Sequence, residues 1–290
     1  MRTELILEFP DTIEEALEML AADDPAVRVI GGGTGIVPLM KHGLLRPTTL
    51  VALHRLGAAL STIEQTDDGG FRLGASVTLR TLERSRQLMQ LFPLLSQALA
   101  VLATVRVRNV AQLGGAVAHA HPQTDLPPVL VSLGARIRAR SSRGERWIDA
   151  SEMFLGYYES ALRDDELITE VRLPSPGRHR ATYRKVTERT VDDWPLLGVA
   201  AIARPDASAR RVQVVLGSVA DHPLTLPEMA FPPGTVGHGV IESIVRDATS
   251  QLELSDRPGA TARYQRQLIA VHTGRAVQEV LSGIVEGGEV

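Results

Sequence analysis

Ile30-Gly31-Gly32-Gly33-Thr34-Gly35-Ile36-Val37-Pro38-Leu39-Met40-Lys41 follows an apolar run and places four glycines in five positions. A second stretch, Arg108-Asn109-Val110-Ala111-Gln112-Leu113-Gly114-Gly115-Ala116, also carries adjacent glycines. Glycine admits φ > 0 and lets the backbone approach a ligand with no Cβ in the way. Successive backbone N–H groups in such a loop make an anion nest suited to phosphate. Either stretch alone reads as a tight turn between elements. The two together suggest a pyrophosphate gripped from two sides.

The first stretch is no P-loop, because Gly-Lys-Ser/Thr is absent. It also fits the dinucleotide fingerprint Gly-x-Gly-x-x-Gly poorly, and Pro38 is expected to interrupt the helix that follows. Working outward, Ile13, Ala16, Leu17 and Leu20 share one face of a helix over 12–22, with Asp11 or Thr12 as cap. Strands are expected at 27–30 and 49–53, with a short helix over 36–41 between them. A second unit follows, with strands at 60–65 and 71–75 and helices over 78–88, 91–103 and 126–133. A hairpin is read around Arg143-Gly144, and a strand at 167–173. Pro174-Ser175-Pro176-Gly177 is the best linker. Beyond it come strands at 182–188, 196–203 and 212–219, then helices near 240–253 and 260–285. The expected division is therefore 1–174, with subdomains of about 1–57 and 58–174, and a separate α+β domain over 178–290.

The 290-residue chain is 44% hydrophobic, carries a formal net charge of -3 and has no cysteine. Length and apolar content suit about two globular domains. The charge balance gives no reason to expect nucleic acid or an anionic membrane as partner. The arginines at 136, 138, 140 and 143, and at 210 and 211, form short clusters that read as solvated. Without cysteine the chain cannot itself ligate an iron–sulfur cluster, form a disulfide or use a thiol nucleophile. Met1-Arg2-Thr3-Glu4 lacks a signal-peptide layout and no apolar run reaches membrane-spanning length, so a cytoplasmic protein without a membrane span is expected.

Past the second glycine pair the chain reads Ala118-His119-Ala120-His121-Pro122-Gln123-Thr124-Asp125-Leu126-Pro127-Pro128. His-x-His can place two imidazoles on one face of a strand and ligate a metal. No third ligand pattern accompanies it, and surface or capping histidines are the better reading. Asp125 can cap the next helix or accept hydrogen bonds from a ligand, and the two roles can coexist. Lys185, in Tyr183-Arg184-Lys185, sits on an expected strand, where most lysines face solvent. Its ammonium would nevertheless suit the electron-rich side of a reduced flavin. Trp194 stands in a loop, where a tryptophan either packs inward or lies on a ring or partner.

Together these residues resemble the flavoprotein (medium) subunit of molybdenum hydroxylases of the carbon monoxide dehydrogenase and xanthine dehydrogenase type. The first family motif resembles 31–41 and then Pro47-Thr48-Thr49-Leu50-Val51. The second resembles 108–116 and then 120–127. Glu166-Leu167-Ile168, Val171-Arg172-Leu173-Pro174 and Tyr183-Arg184-Lys185 extend the likeness over nearly the whole chain.

The resemblance implies an α+β architecture: a two-subdomain FAD-binding fold of the para-cresol methylhydroxylase type, followed by a smaller α+β domain. It implies that Arg28, Gly31, Gly32, Gly33, Thr34 and Gly35 contact FAD from one side, and Gln112, Leu113, Gly114, Gly115, Ala116 and Asp125 from the other. Ile168 and Lys185 should approach the isoalloxazine, Trp194 should lie near the ring, and Leu102 near the adenine. Lys185→Met is then expected to lower the flavin potential and leave the melting temperature nearly unchanged. Three positions depart from the family: Gly35 stands for Ser or Glu, Gln112 for Ser or Thr, and Ala116 for Asn. His121 also stands where the family usually has Asp.

The implied activity is electron transfer from [2Fe–2S] clusters on a small partner subunit, through FAD, to a terminal acceptor. A large molybdopterin subunit carrying the molybdenum cofactor would oxidise the substrate. The expected assembly is a dimer of heterotrimers, and no residue of this chain is expected to act catalytically on the substrate or to bind metal. Two other readings stand beside it: a self-contained FAD oxidase or reductase of the same superfamily, and a non-catalytic subunit that has lost FAD.

Overall fold

The computed structural model describes residues 5–22, 24–205, 209–257 and 259–282. The amino-terminal Met1-Arg2-Thr3-Glu4 and the expected helical residues beyond 282 lie outside them. The chain divides into two compact units. One comprises Met1–Leu88, Thr104–His121 and Gly134–Ser175; the other comprises Met89–Ala103, Pro122–Leu133 and Pro176–Val290. The break at Ser175 and Pro176 falls inside the expected linker. The helices Pro93–Val101 and Leu126–Ser132, assigned by chain order to the first domain, belong to the second unit.

In the first unit, β1 (Ile6–Glu8), β2 (Val27–Ile30) and β3 (Thr49–Ala52) form a parallel sheet in the order β1-β3-β2. The helix Ile13–Leu20 starts where Thr12 Oγ1 accepts the Glu15 N–H at 3.1 Å, while the Glu15 carboxylate accepts the Asp11 N–H at 2.7 Å. Such reciprocal bonds satisfy donors that a helix start leaves open. The helix buries Ala16, Leu17 and Leu20 in one cluster with Val51, Leu53, Leu56 and Leu60.

The same unit holds β4 (Ile63–Gln65), β5 (Phe71–Gly74), β6 (Arg136–Ser141), β7 (Gly144–Asp149), the small hairpin of β8 (Phe154–Gly156) and β9 (Glu159–Ser160), and β10 (Leu167–Leu173). The five-stranded sheet runs β4-β5-β10-β6-β7, antiparallel throughout. The arginines of β6 are not simply solvated. Arg138 pairs with Glu145 and Glu170, Arg136 with Asp149, and both lie over the Trp147 ring.

Other differences have local causes. The expected strand at 60–65 begins only at Ile63, because Gly57–Leu60 forms a helical turn. The expected helix over 78–88 breaks at Ser85, whose backbone is extended. β1, the helix Val105–Val110 and the β8–β9 hairpin are additional elements, too short for periodicity to reveal.

The second unit contains β11 (Arg180–Val186), β12 (Leu197–Pro205), β13 (Arg210–Gly217), β14 (Leu224–Thr225) and β15 (Met229–Phe231). The sheet runs β11-β12-β13-β14 with β15 also on β13. β12 is buried at every position from Leu197 to Ala203, which explains its unbroken apolar sequence. Val277, Val280 and Leu281 of the helix Ala262–Ser282 share its core with Val199, Ala201 and Val214.

Candidate functional site

β2 ends at Ile30, and the chain turns through 31–35 into the helix Ile36–Lys41. Gly33 has φ +71°, a left-handed conformation open to glycine without a Cβ penalty. Pro38 does not interrupt this helix as expected. It stands in the first turn, where a missing N–H is harmless.

The second glycine pair is not a loop. Residues Leu113–Ala118 are helical, with Gly114 and Gly115 in the first turn. The Leu113 N–H donates to the Val77 carbonyl at 2.9 Å, and the Gly114 N–H to the Ala75 carbonyl at 2.8 Å. A Cβ on Gly114 would stand 2.7 Å from the Ala75 methyl, so this approach requires glycine. The neighbouring motif residue Arg108 is buried against Glu83, Nε to Oε2 at 3.0 Å, and ties Val105–Val110 to the helix Leu79–Arg84.

The structure brings the two stretches together. A Cβ on Gly32 would collide with the Val110 carbonyl, and one on Gly31 with the Gln112 side-chain amide. A Cβ on Gly35 would stand 2.9 Å from His119 Nδ1. Gly115 is different: beyond its chain neighbours and its own helix backbone, no atom lies within 4 Å of the place its Cβ would take. Among the described residues, the N–H groups of Gly32, Gly33, Thr34, Gly35 and Gly115 have no protein acceptor. Unpaired donors around glycines suit the oxygens of an anion. The cradle therefore fits the diphosphate of a dinucleotide cofactor.

Beside it lies an aromatic cluster. The His119 and His121 rings stack at 6.0 Å, and Tyr158 meets them edge-on at 5.1 and 4.9 Å. Tyr158 turns the β8–β9 hairpin at φ +58°, and its N–H donates at 3.2 Å to the carbonyl of Ala120, itself at φ +43°. Two non-glycine residues in the left-handed region are strained positions, which cluster at functional sites. Burial, and then the neighbouring His119, push the His121 pKa down to about 4; burial also lowers His119. His119 is the C-cap residue of Leu113–Ala118, its N–H donating to the Gly115 carbonyl at 3.0 Å, and its ring is half-buried. His121 is buried, and among the described residues no group of three or more His, Cys, Asp or Glu could hold a metal. Sequence reasoning missed the placing of His119 beside Gly35 and the role of Tyr158. The signal was His-x-His next to a glycine pair, weighed there for metal and then read as surface or capping histidines.

Of the other expected residues in this unit, Arg28 on β2 pairs with Asp164 at 2.5 Å. Ile168 is buried on β10, beside a bulge between Ile168 and Glu170 that re-aims side chains. Leu113 is buried and Ala116 half-buried.

In the second unit, Asp125 occupies the cap position of Leu126–Ser132 but makes no capping bond. Its Oδ1 accepts from the Tyr183 hydroxyl at 2.7 Å and its Oδ2 from Lys185 Nζ at 3.1 Å. Lys185 also donates to the Val101 carbonyl at 2.9 Å, and its side chain is only 4% exposed. It is not a solvent-facing strand lysine. Burial pushes the Asp125 carboxyl up against the pull of Lys185, and burial beside Asp125 pushes the Tyr183 phenol well up. Leu102 follows the helix Pro93–Val101, and Trp194 is exposed in its loop.

Residues 3–176 match the family described as the FAD binding domain in molybdopterin dehydrogenase. The chain belongs to this family. It is the family that the two glycine motifs resemble, and FAD is its cofactor. The glyceraldehyde dehydrogenase medium chain of Sulfolobus acidocaldarius is 27% identical over 275 residues, covering 93% of this chain and 96% of that one. Subunit alpha of the 6-hydroxypseudooxynicotine dehydrogenase complex of Paenarthrobacter nicotinovorans is 29% identical, covering 93% and 92%. Among solved structures, quinoline 2-oxidoreductase from Pseudomonas putida 86 superposes with a TM-score of 0.89 at 25% identity, covering 98% of this chain and 99% of that chain. The chain is thus an FAD-binding oxidoreductase subunit of the molybdenum hydroxylase type, with an α+β fold. Among the described residues no helix is long and apolar enough to cross a membrane.

Proposed function

We propose that this chain accepts electrons from [2Fe–2S] clusters on a small partner subunit and delivers them to a terminal acceptor, while a large molybdopterin subunit oxidises the substrate. When bound, FAD supplies the electron exchange. The carrying observation is the pair of glycine stretches packed together around unpaired N–H donors, with the Cβ space of Gly115 left open. Gly32, Gly33, Thr34, Gly35 and Gly115 would hold the diphosphate. The absence of cysteine supports the division of labour, since the clusters need thiolates from another chain.

The relatives named above serve complexes that act on glyceraldehyde, 6-hydroxypseudooxynicotine and quinoline. Those substrates share little chemistry, whereas the medium chains share a fold. This supports a substrate pocket on another subunit. We infer a dimer of heterotrimers as the working assembly. The test is reconstitution. The purified chain should be yellow and should not oxidise an organic substrate alone. Adding the iron–sulfur and molybdenum chains should make flavin bleaching substrate-dependent. Oxidation of an organic substrate by the isolated chain at ordinary enzyme rates, on the order of 1–10³ per second, would overturn the subunit reading.

A further inference from the structure

His119 carries polar atoms that the packing does not use. Its ring is half-buried, yet among the described residues neither ring nitrogen has a hydrogen-bond partner. The ring is held firmly all the same. It stacks on His121, takes the edge of Tyr158, and Tyr158 is itself anchored to the Ala120 carbonyl. Both ring nitrogens keep access to solvent, so the fixed ring leaves them open to a ligand.

The ligand's side is given by Gly35. The atom closest to the missing Gly35 Cβ is His119 Nδ1, with Cγ and Cε1 behind it at 3.1 and 3.2 Å. The imidazole thus fills the space that a side chain at position 35 would take, next to N–H donors that also lack protein acceptors. We propose that His119 is a cofactor-binding residue: a ring N–H donates to the diphosphate of FAD, in place of the side chain that Gly35 lacks. The proposal rests on the FAD reading of the glycine cradle. Burial favours the neutral ring, which keeps one N–H donor and puts no unpaired charge into the cradle before the cofactor arrives. A hydrogen bond to an anionic oxygen is among the stronger kinds.

The test is a titration of flavin-free protein with FAD, followed by flavin fluorescence quenching, with ADP as competitor and riboflavin as the probe lacking a diphosphate. His119→Ala should weaken FAD and ADP by about tenfold or more, the worth of a charged hydrogen bond, and leave riboflavin unchanged. His119→Gln, which keeps a donor, should recover much of the loss. Adding Gly35→Ser to His119→Ala should recover part of it, by returning a hydroxyl to the emptied space. The melting temperature of each flavin-free variant separates lost binding from lost folding. Unchanged FAD affinity in His119→Ala overturns the proposal, as does an equal loss for riboflavin. Gly115→Val distinguishes the two levels. If it still binds FAD normally, the cradle reading itself has failed; if it loses FAD while His119→Ala does not, only the role of His119 has.

Discussion

The glycine cradle of the first unit and the Asp125–Tyr183–Lys185 cluster of the second are built on opposite plans. The cradle is neutral and partly open, and its donors lack protein acceptors. The cluster is charged and closed, and Asp125 and Lys185 have partners at 2.7 to 3.1 Å. The resemblance assigns the cradle glycines, Asp125 and Lys185 to cofactor contact, and Tyr183 joins the cluster through its hydroxyl bond to Asp125. Physically they differ. The open donors are left for an anion, whereas the buried charges of the closed cluster already satisfy one another within their own unit. Resemblance marks which residues matter, and the pattern of satisfied and unsatisfied groups shows what each does within the fold.

The largest expected effect breaks the closed cluster. Removing one member of a buried ion pair leaves an uncompensated charge, at a cost of about 3–5 kcal/mol. Lys185→Met should therefore lower stability strongly, which reverses the expectation of an unchanged melting temperature. Urea unfolding of the flavin-free protein measures it. Lys185→Met with Asp125→Asn should regain most of the loss, because no charge is then stranded. Equal stability of wild type and Lys185→Met would show that water, not Lys185, solvates Asp125.

The second test separates glycines within the cradle. Gly32 and Gly115 look alike in sequence, but only Gly32 has backbone pressed against its missing Cβ. Gly32→Val should destabilise the protein by about 1–3 kcal/mol, as overpacking does. It is thus not the clean probe of flavin binding that sequence alone suggests. Gly115→Val should fold and be colourless. Gly115→Ala should stabilise the flavin-free protein by about 0.5–1 kcal/mol, since alanine is the better helix former, while weakening FAD. A stabilised variant with undiminished FAD affinity would show that no ligand needs the space at Gly115.

Much of this was legible in the sequence. The strand over 27–30, the helix over 36–41 and the strand at 167–173 follow from apolar runs bounded by glycine and proline. The meeting of 31–35 with 110–119 was legible only as a suggestion from two similar motifs. What stayed hidden depends on contacts far apart in the chain. Gly114 is glycine because Ala75 crosses it, and Asp125, at a cap position, makes no capping bond while Tyr183 and Lys185 reach it from 58 and 60 residues away. Nor can a sequence show that segments 89–103 and 122–133 leave the first unit for the second. Composition and periodicity see neighbours on one element, not the partners that tertiary structure brings.

The smallest effect concerns the neutral lining of the cradle. His121 titrates near 4 in the folded protein, below the 6.5 of a free imidazole, because burial and His119 disfavour its charged form. Between those values the unfolded chain binds more protons than the folded one. Stability contributed by this group is therefore complete above pH 6.5 and is lost as pH falls toward 4, with a slope of at most about 1.4 kcal/mol per pH unit. Most carboxylates remain ionised above pH 5, so the window from pH 5 to 6.5 isolates the histidines. His119 and His272, also lowered by burial, add to the same slope. His121→Gln should make the stability of flavin-free protein visibly flatter across that window and change it little at pH 8. The His121 ring resonances should titrate near pH 4 in the folded protein. A midpoint near 6.5 would mean that the ring is solvated and freely charged, and that the contrast between a neutral cradle and a charged cluster does not hold.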